Sequence, residues 1–152
     1  MTVDFELKKS PAMKVACLAY RGPYKENMLQ KEFRQLTQWA KDGKVRTGHW
    51  IFSWKGDKRS DACLEIKGTR FPPRPEGVRL ATLPATWVAR VAFDPEELSP
   101  RVVYHGLSDW TRERKKDKTI RAVGSAREVY AGDPWSNKAA WAHCTVEYLV
   151  RK

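Results

Sequence analysis

Apolar and polar positions along this chain alternate with a period of two in some stretches and near 3.6 in others, and the switches divide it into elements. Val3 to Lys8 alternates and predicts a strand. Met13 to Tyr20 is almost continuous in small and apolar residues, which predicts a second, central strand. After the turn signal Arg21-Gly22-Pro23-Tyr24, residues Leu29, Phe33, Leu36 and Ala40 recur on one helical stripe with Trp39 beside it. A helix from about Lys25 to Lys41 is predicted, stopped by Asp42-Gly43. His49 to Trp54 and Ala62 to Ile66 read as strands joined through the turn Lys55-Gly56-Asp57. Phe71-Pro72-Pro73-Arg74-Pro75 cannot be regular structure.

The second half repeats this order. Val78 to Leu83 and Thr86 to Phe93 are predicted strands. Ser99-Pro100 starts a helix that runs to about Lys116, with Val103, Tyr104, Leu107 and Trp110 on its apolar side. Ala126 to Tyr130 and Ala142 to Val150 are the last predicted strands. The halves also match residue by residue. Phe33, Leu36 and Trp39 align with Tyr104, Leu107 and Trp110 at one constant offset, and Val15-Ala16 aligns with Val88-Ala89. Trp54 to Asp57 aligns with Tyr130 to Asp133, and Leu64-Glu65-Ile66 with Val146-Glu147-Tyr148. The offset grows only at loops, as a duplication requires. The expected fold is α+β: two tandem strand–helix–strand–strand repeats, each with a leading strand, related by a pseudo-two-fold. They would form an antiparallel sheet with two main helices on one side. Repeat 1 spans about 1–69, a proline-rich linker 70–76 and repeat 2 about 77–152, within a single domain. Neither half can bury its sheet face alone, so a cleft is expected at the seam.

Composition adds three points. Hydrophobic content of 41% and aromatic content of 11% in 152 residues argue for a folded globule. Seven tryptophans supply the flat surfaces that an apolar cleft needs. The net charge of +11 permits attraction to nucleic acid or acidic surfaces. Lys55, Lys58 and Arg59 in one loop and Arg112 to Lys118 in another are the basic clusters, each also readable as a solvated face. Cys17, Cys63 and Cys144 are far apart, odd in number and without CxxC spacing, so buried reduced thiols are expected. No apolar run follows the first residue or approaches membrane-spanning length, so the expected location is the cytoplasm, away from membranes.

The chemistry concentrates in Glu128-Val129-Tyr130-Ala131-Gly132-Asp133-Pro134, a strand running into a turn. Alternation places Glu128 and Tyr130 on one face and Val129 on the other. A glutamate buried among aromatics has a raised pKa, which suits either proton transfer or binding of a cation. Trp50, Phe52 and Trp54 share a strand face and either wall a pocket or fill the sheet, while Trp135 reads as a turn residue. There is no glycine-rich phosphate loop and no nucleophile-elbow motif. His49, His105 and His143 lack metal-ligand spacing, so neither metal nor cofactor is expected.

These motifs resemble the gyrase-inhibitor-like (GyrI-like) small-molecule-binding family, which includes effector-binding domains of bacterial multidrug-sensing transcription regulators. The matching residues are Arg21-Gly22-Pro23-Tyr24 before the first helix and Leu83-Pro84 before the central strand of the second half. Leu107, Trp110 and above all Glu128-x-Tyr130-x-x-Asp133-Pro134 complete them. The chain departs from the family at Ala85-Thr86, where glycines are common. It also shows no helix-turn-helix segment, so a stand-alone ligand-binding domain is expected. The resemblance implies an aromatic cleft between the repeats with a central glutamate that attracts cationic or polar groups on flat, apolar ligands. By motif position that glutamate is Glu128, with Tyr130, Trp110, Trp39, Tyr24, Trp50, Phe52 and Trp54 as candidate lining.

Some members of the family are implicated in hydrolysing electrophilic small molecules with a glutamate and an aromatic hydroxyl. The resemblance therefore also implies an alternative, a hydrolase using Glu128 and Tyr130. A third reading is nucleic-acid or protein binding through the basic surface. The expected partner is a small molecule, and the expected state a monomer or weak dimer.

Overall fold

The computed structural model describes residues 4–21, 25–55, 59–116, 120–136, 140 and 144–151. Ten elements follow in chain order: β1 (Glu6–Ser10), β2 (Met13–Arg21), α1 (Glu26–Asp42), β3 (Arg46–Lys55), β4 (Arg59–Lys67), β5 (Arg79–Leu83), β6 (Thr86–Phe93), α2 (Pro100–Lys116), β7 (Arg121–Tyr130) and β8 (Cys144–Arg151). The strands form one antiparallel sheet in the order β1-β6-β8-β7-β3-β4-β2-β5, curled into a half-barrel. This is the α+β architecture with internal two-fold symmetry that the repeat predicts.

Read from its centre outwards, the strand order is symmetric. β3 and β7 meet in the middle, followed by β4 and β8, then β2 and β6. The outermost strands are exchanged between repeats. β1 precedes repeat 1 in the chain yet pairs with β6, and β5 precedes repeat 2 yet pairs with β2. Each leading strand therefore closes the edge of the other half, which ties the repeats into one cooperative sheet.

Both helices lie on one face of the sheet. Leu29, Phe33, Leu36 and Ala40 of α1 pack on Ala16, Leu18, Ala62, Leu64 and Ile66. Val103 and Leu107 of α2 pack on Ala89, Val91, Cys144 and Val146. Trp50, at the centre, adjoins both clusters. Gly43, which follows α1, has an ordinary φ of −91°. A Cβ there would lie 2.3 Å from Pro72 Cγ, so close approach and not backbone conformation requires the glycine. The proline-rich stretch is docked on the end of α1, where Trp39 Nε1 donates to the Pro73 carbonyl at 3.0 Å.

The other sheet face carries no helix. The half-barrel's curl buries Val15, Cys17, Ile51 and Cys63 there, each at most 1% exposed. A row of charges crosses the same face. Glu6 is the register partner of Arg90, Arg90 of Glu147, and Glu147 of Arg127. Arg127 Nε donates to Glu147 Oε1 at 2.6 Å and Arg127 Nη2 to Ser10 Oγ at 3.0 Å, while Arg90 Nη1 lies 3.3 Å from Glu6 Oε1. Opposite charges thus face one another on neighbouring strands: the Arg127–Glu147 pair is buried, whereas Glu6 at the edge is exposed.

Several boundaries differ from expectation: β3 and β4 each begin three residues early, at Arg46 and Arg59. β1 begins at Glu6, not Val3; residues 1–3 lie outside the described ones. β7 begins at Arg121, five residues before Ala126, because its pairing with β8 shifts register between Ala122 and Ala126. Such an irregularity interrupts the side-chain alternation by which a strand is read.

Candidate functional site

The site forms where β3 meets β7. Phe52 is the register partner of Glu128, and Trp50 that of Tyr130. The shift that carries Trp54 onto Tyr130 in the repeat also carries Phe52 onto Glu128. The pseudo-two-fold therefore passes through the Phe52–Glu128 pair, and the carboxylate occupies the symmetric centre of the molecule. The repeats furnish it unequally. Where repeat 1 places Phe33 on α1, repeat 2 places Tyr104 on α2. The Tyr104 hydroxyl donates to Glu128 Oε1, and the Tyr130 hydroxyl donates to Oε2 at 3.2 Å.

A cavity of about 140 Å³ opens beside this carboxylate, lined by Glu26, Leu29, Phe33, Trp50, Phe52, Glu128, Tyr130, Pro134 and Trp135. Its aromatic wall is continuous. Phe33 stacks on Trp50 with ring centroids 4.7 Å apart and planes 14° apart. Trp135 leans on both at 6.0 and 6.3 Å. Asp133 holds the turn that carries Trp135, its Oδ1 accepting from the Trp135 amide at 2.9 Å. Trp135 Nε1 in turn donates to Glu26 Oε1 at 3.0 Å, anchoring the turn to the start of α1.

The electrostatics set this site apart. Burial raises the Glu128 pKa above the ordinary carboxylate range, and the hydrogen bonds from Tyr104 and Tyr130 only partly offset it. Burial, and then the Glu128 charge, push both tyrosines well up, so they remain neutral donors. Cys144, which bonds Tyr130, is pushed up to about 12 by burial and then by Glu128. Among the described residues lining the cavity none is cationic, and two, Glu26 and Glu128, are carboxylates. The cavity offers aromatic faces, a shielded carboxylate and neutral hydroxyls, which suits a positive group carried on an apolar body.

The structure brings Glu128, Tyr130, Trp50 and Phe52 together at the cavity. Trp54 stands next to it, in contact with Phe52 at 5.2 Å and edge-on to Tyr104 at 5.9 Å. Trp39 and Trp110 stand apart. Trp39 points towards the proline-rich segment, and Trp110 packs on Phe5 at 6.4 Å with Arg114 over its ring at 4.7 Å. Tyr24 lies outside the described residues. Tyr104, Trp135 and Phe33, the last read as core, are the residues that sequence reasoning missed. Tyr104 sits on the apolar stripe of α2, where a tyrosine reads as core. Its alignment with Phe33 was the available signal. A larger, open depression of about 870 Å³ lies between α1 and Pro72–Glu76. Its polar side chains Lys31, Arg34, Gln35, Gln38 and Asp42 are exposed, so it lacks the buried polar group that a specific site needs. Among the described residues no group of histidine, cysteine, aspartate or glutamate is placed to hold a metal, and no helix is long and apolar enough to cross a membrane.

No protein-family model matches the sequence, and no curated protein does. Solved structures do. The C-terminal domain of EcmrR is similar with a TM-score of 0.76 at 17% identity, covering 100% of this chain and 99% of that one. In the EcmrR–DNA complex the match covers 99% of this chain and 58% of the longer EcmrR chain, with a TM-score of 0.75 at 17% identity. A hydrolase from Listeria innocua matches with a TM-score of 0.65 at 13% identity, covering 97% of this chain and 92% of that one. SAV2435 bound to tetraphenylphosphonium matches with a TM-score of 0.50 at 9% identity, covering 98% and 94%. The chain has the GyrI-like fold, which it shares with these neighbours.

Proposed function

We propose that the protein binds a flat, partly apolar cation at the pseudo-two-fold, with Glu128 as its counter-charge and Phe33, Trp50, Phe52 and Trp135 as its walls. One observation carries this reading. Glu128 is a shielded carboxylate whose hydrogen bonds come from neutral tyrosines, beside a cavity with no cationic lining among the described residues. An ionised carboxylate in that setting lacks a counter-ion, and a bound cation supplies one. About 140 Å³ holds roughly one aromatic ring. A ligand with several rings seats one there and requires the Asp133–Ser136 turn to yield. Tetraphenylphosphonium, bound by SAV2435 on the same fold, is tetrahedral; it supports an apolar aromatic cation as the ligand, with one ring at a time seated in the cavity.

The net charge of +11 repels cations at long range. Salt screens that field beyond about 8 Å, whereas Glu128 acts at contact. Titrating the protein with a cationic aromatic dye while following tryptophan fluorescence tests the proposal. Saturable quenching that survives added salt is expected, and no quenching at millimolar dye would refute it.

A second reading is a hydrolase in which Glu128 moves a proton and the tyrosine hydroxyls steady the developing charge. The raised pKa of Glu128 and its two phenolic partners favour it, and a hydrolase shares the fold. Turnover of an electrophilic compound that Glu128→Gln abolishes while leaving binding intact would decide for it.

A further inference from the structure

We propose that Cys17 and Cys63 are a redox pair, a site of reversible disulfide formation that links β2 to β4 on the helix-free face of the sheet. The two residues are direct register partners, and their sulfurs are 2.8 Å apart. Directly opposed residues of an antiparallel pair have Cα atoms about 4.5–5.5 Å apart, inside the window of about 4.4–6.8 Å that disulfides occupy. Closing the bond therefore needs no separation of the strands. Both thiols are free and each is 1% exposed, packed with Val15 and Ile51. Cys144 belongs to the helix-side cluster under α2 and does not compete.

The pair is chemically unequal. In the reduced pair the Cys17 thiol donates to Cys63 Sγ; once Cys17 ionises, the Cys63 thiol turns to donate to it, and this holds the Cys17 pKa below its ordinary value. Burial opposes this and the Arg79 guanidinium assists. Cys63 is pushed well up by the same hydrogen bond and by burial. Cys17 is thus the attacking sulfur and Cys63 the resolving one. With a hydroperoxide as oxidant, the Cys17 thiolate attacks the terminal oxygen and the O–O bond breaks. The departing alkoxide or hydroxide takes the proton that Cys17 gave up. The sulfenic acid on Cys17 is then attacked by the Cys63 sulfur, and its oxygen leaves with the Cys63 proton as water. Two thiols lose two electrons, and the hydroperoxide becomes an alcohol, or water, plus one further water.

The test treats the native, reduced protein with hydrogen peroxide, removes the oxidant and counts thiols after unfolding. The three cysteines are expected to fall to one free thiol, with a cross-linked peptide pair containing residues 17 and 63. Dithiothreitol should restore all three. Cys144→Ser should end with no free thiol and the same cross-link, whereas Cys17→Ser and Cys63→Ser should form no intramolecular bond. Because wild type and Cys144→Ser carry the result by peptide mapping, it stands even if the other variants fold poorly. Three thiols after oxidation, a cross-link through Cys144, or sulfinic acid without a cross-link would each overturn the proposal.

Discussion

Two carboxylates on opposite faces of the same sheet, Glu147 buried and Glu128 half-buried, solve the same problem in opposite ways. Glu147 faces away from the helices and meets a cation: Arg127 donates to it at 2.6 Å, with Arg90 as its register neighbour. Glu128, one residue after Arg127 on β7, points to the helix side and, among the described residues, meets only phenols. Alternation along one strand thus puts a compensated charge on one face and an uncompensated one on the other. A carboxylate that serves the fold comes with its counter-ion. Under the proposed function, one left without it beside an open cavity takes its counter-ion from a ligand.

The largest expected effect lies on the compensated face. Arg127→Ala strands Glu147 among buried groups, and denaturant unfolding should show a loss of about 3–5 kcal/mol. Replacing both partners by apolar residues of similar volume, Arg127→Met with Glu147→Leu, should recover most of that loss. If Arg127→Ala costs less than Glu128→Gln, the contrast between the faces fails.

On the helix side the stability effect has the opposite sign. The folded-state pKa of Glu128 lies above its unfolded value, so its contribution is favourable below the ordinary carboxylate pKa near 4.3 and is lost as pH rises through the raised value. Glu128→Gln should therefore match the parent at acid pH and be more stable than it at pH 8. Glu32 on α1 titrates in the same direction. It is buried, its Oε2 has no partner among the described residues, and burial followed by the Asp61 charge lifts its pKa to about 7. Measuring Glu32→Gln alongside separates the two. A Glu128→Gln variant that is less stable at every pH would show the carboxylate to be structural.

Much of the fold was readable because the repeat appears twice in the chain, and each copy checks the other. Periodicity found the ten elements that the described residues form, and alternation placed Glu128 with Tyr130 and grouped Trp50, Phe52 and Trp54. What stayed hidden depends on where elements meet. Exchange of β1 and β5 between the repeats leaves no trace in a hydrophobic pattern, since any edge accepts an alternating strand. Tyr104 looks like one more apolar residue on α2 until β7 is beneath it. Trp135 reads as a turn residue, and it is one, but the turn folds back over the cavity and hydrogen-bonds to α1.

Smaller effects sharpen the contrast within the site. Tyr104→Phe removes a donor to Glu128 and should cost about 0.5–1.5 kcal/mol of stability. It should also raise the Glu128 pKa further, so cation binding weakens more on acidification than in the parent. An unchanged pH profile of binding would remove Tyr104 from the site. For ligand-induced quenching, Trp135→Phe should reduce the signal more than Trp110→Phe. Trp135 lines the cavity, whereas Trp110 packs on Phe5 under Arg114. The reverse order would move the ligand towards α2.

The most direct measurement compares two ions of nearly the same shape and opposite charge, tetraphenylphosphonium and tetraphenylborate, by calorimetry on the parent and on Glu128→Gln. The global charge of +11 favours the borate, and the carboxylate at the pseudo-two-fold favours the phosphonium. The parent is predicted to prefer the phosphonium, and Glu128→Gln to weaken its binding by about 1.5–3 kcal/mol, the scale of a charge-assisted contact, while leaving the borate weak or improved. Tighter borate binding by the parent, or phosphonium affinity unchanged in Glu128→Gln, would contradict the role assigned to Glu128.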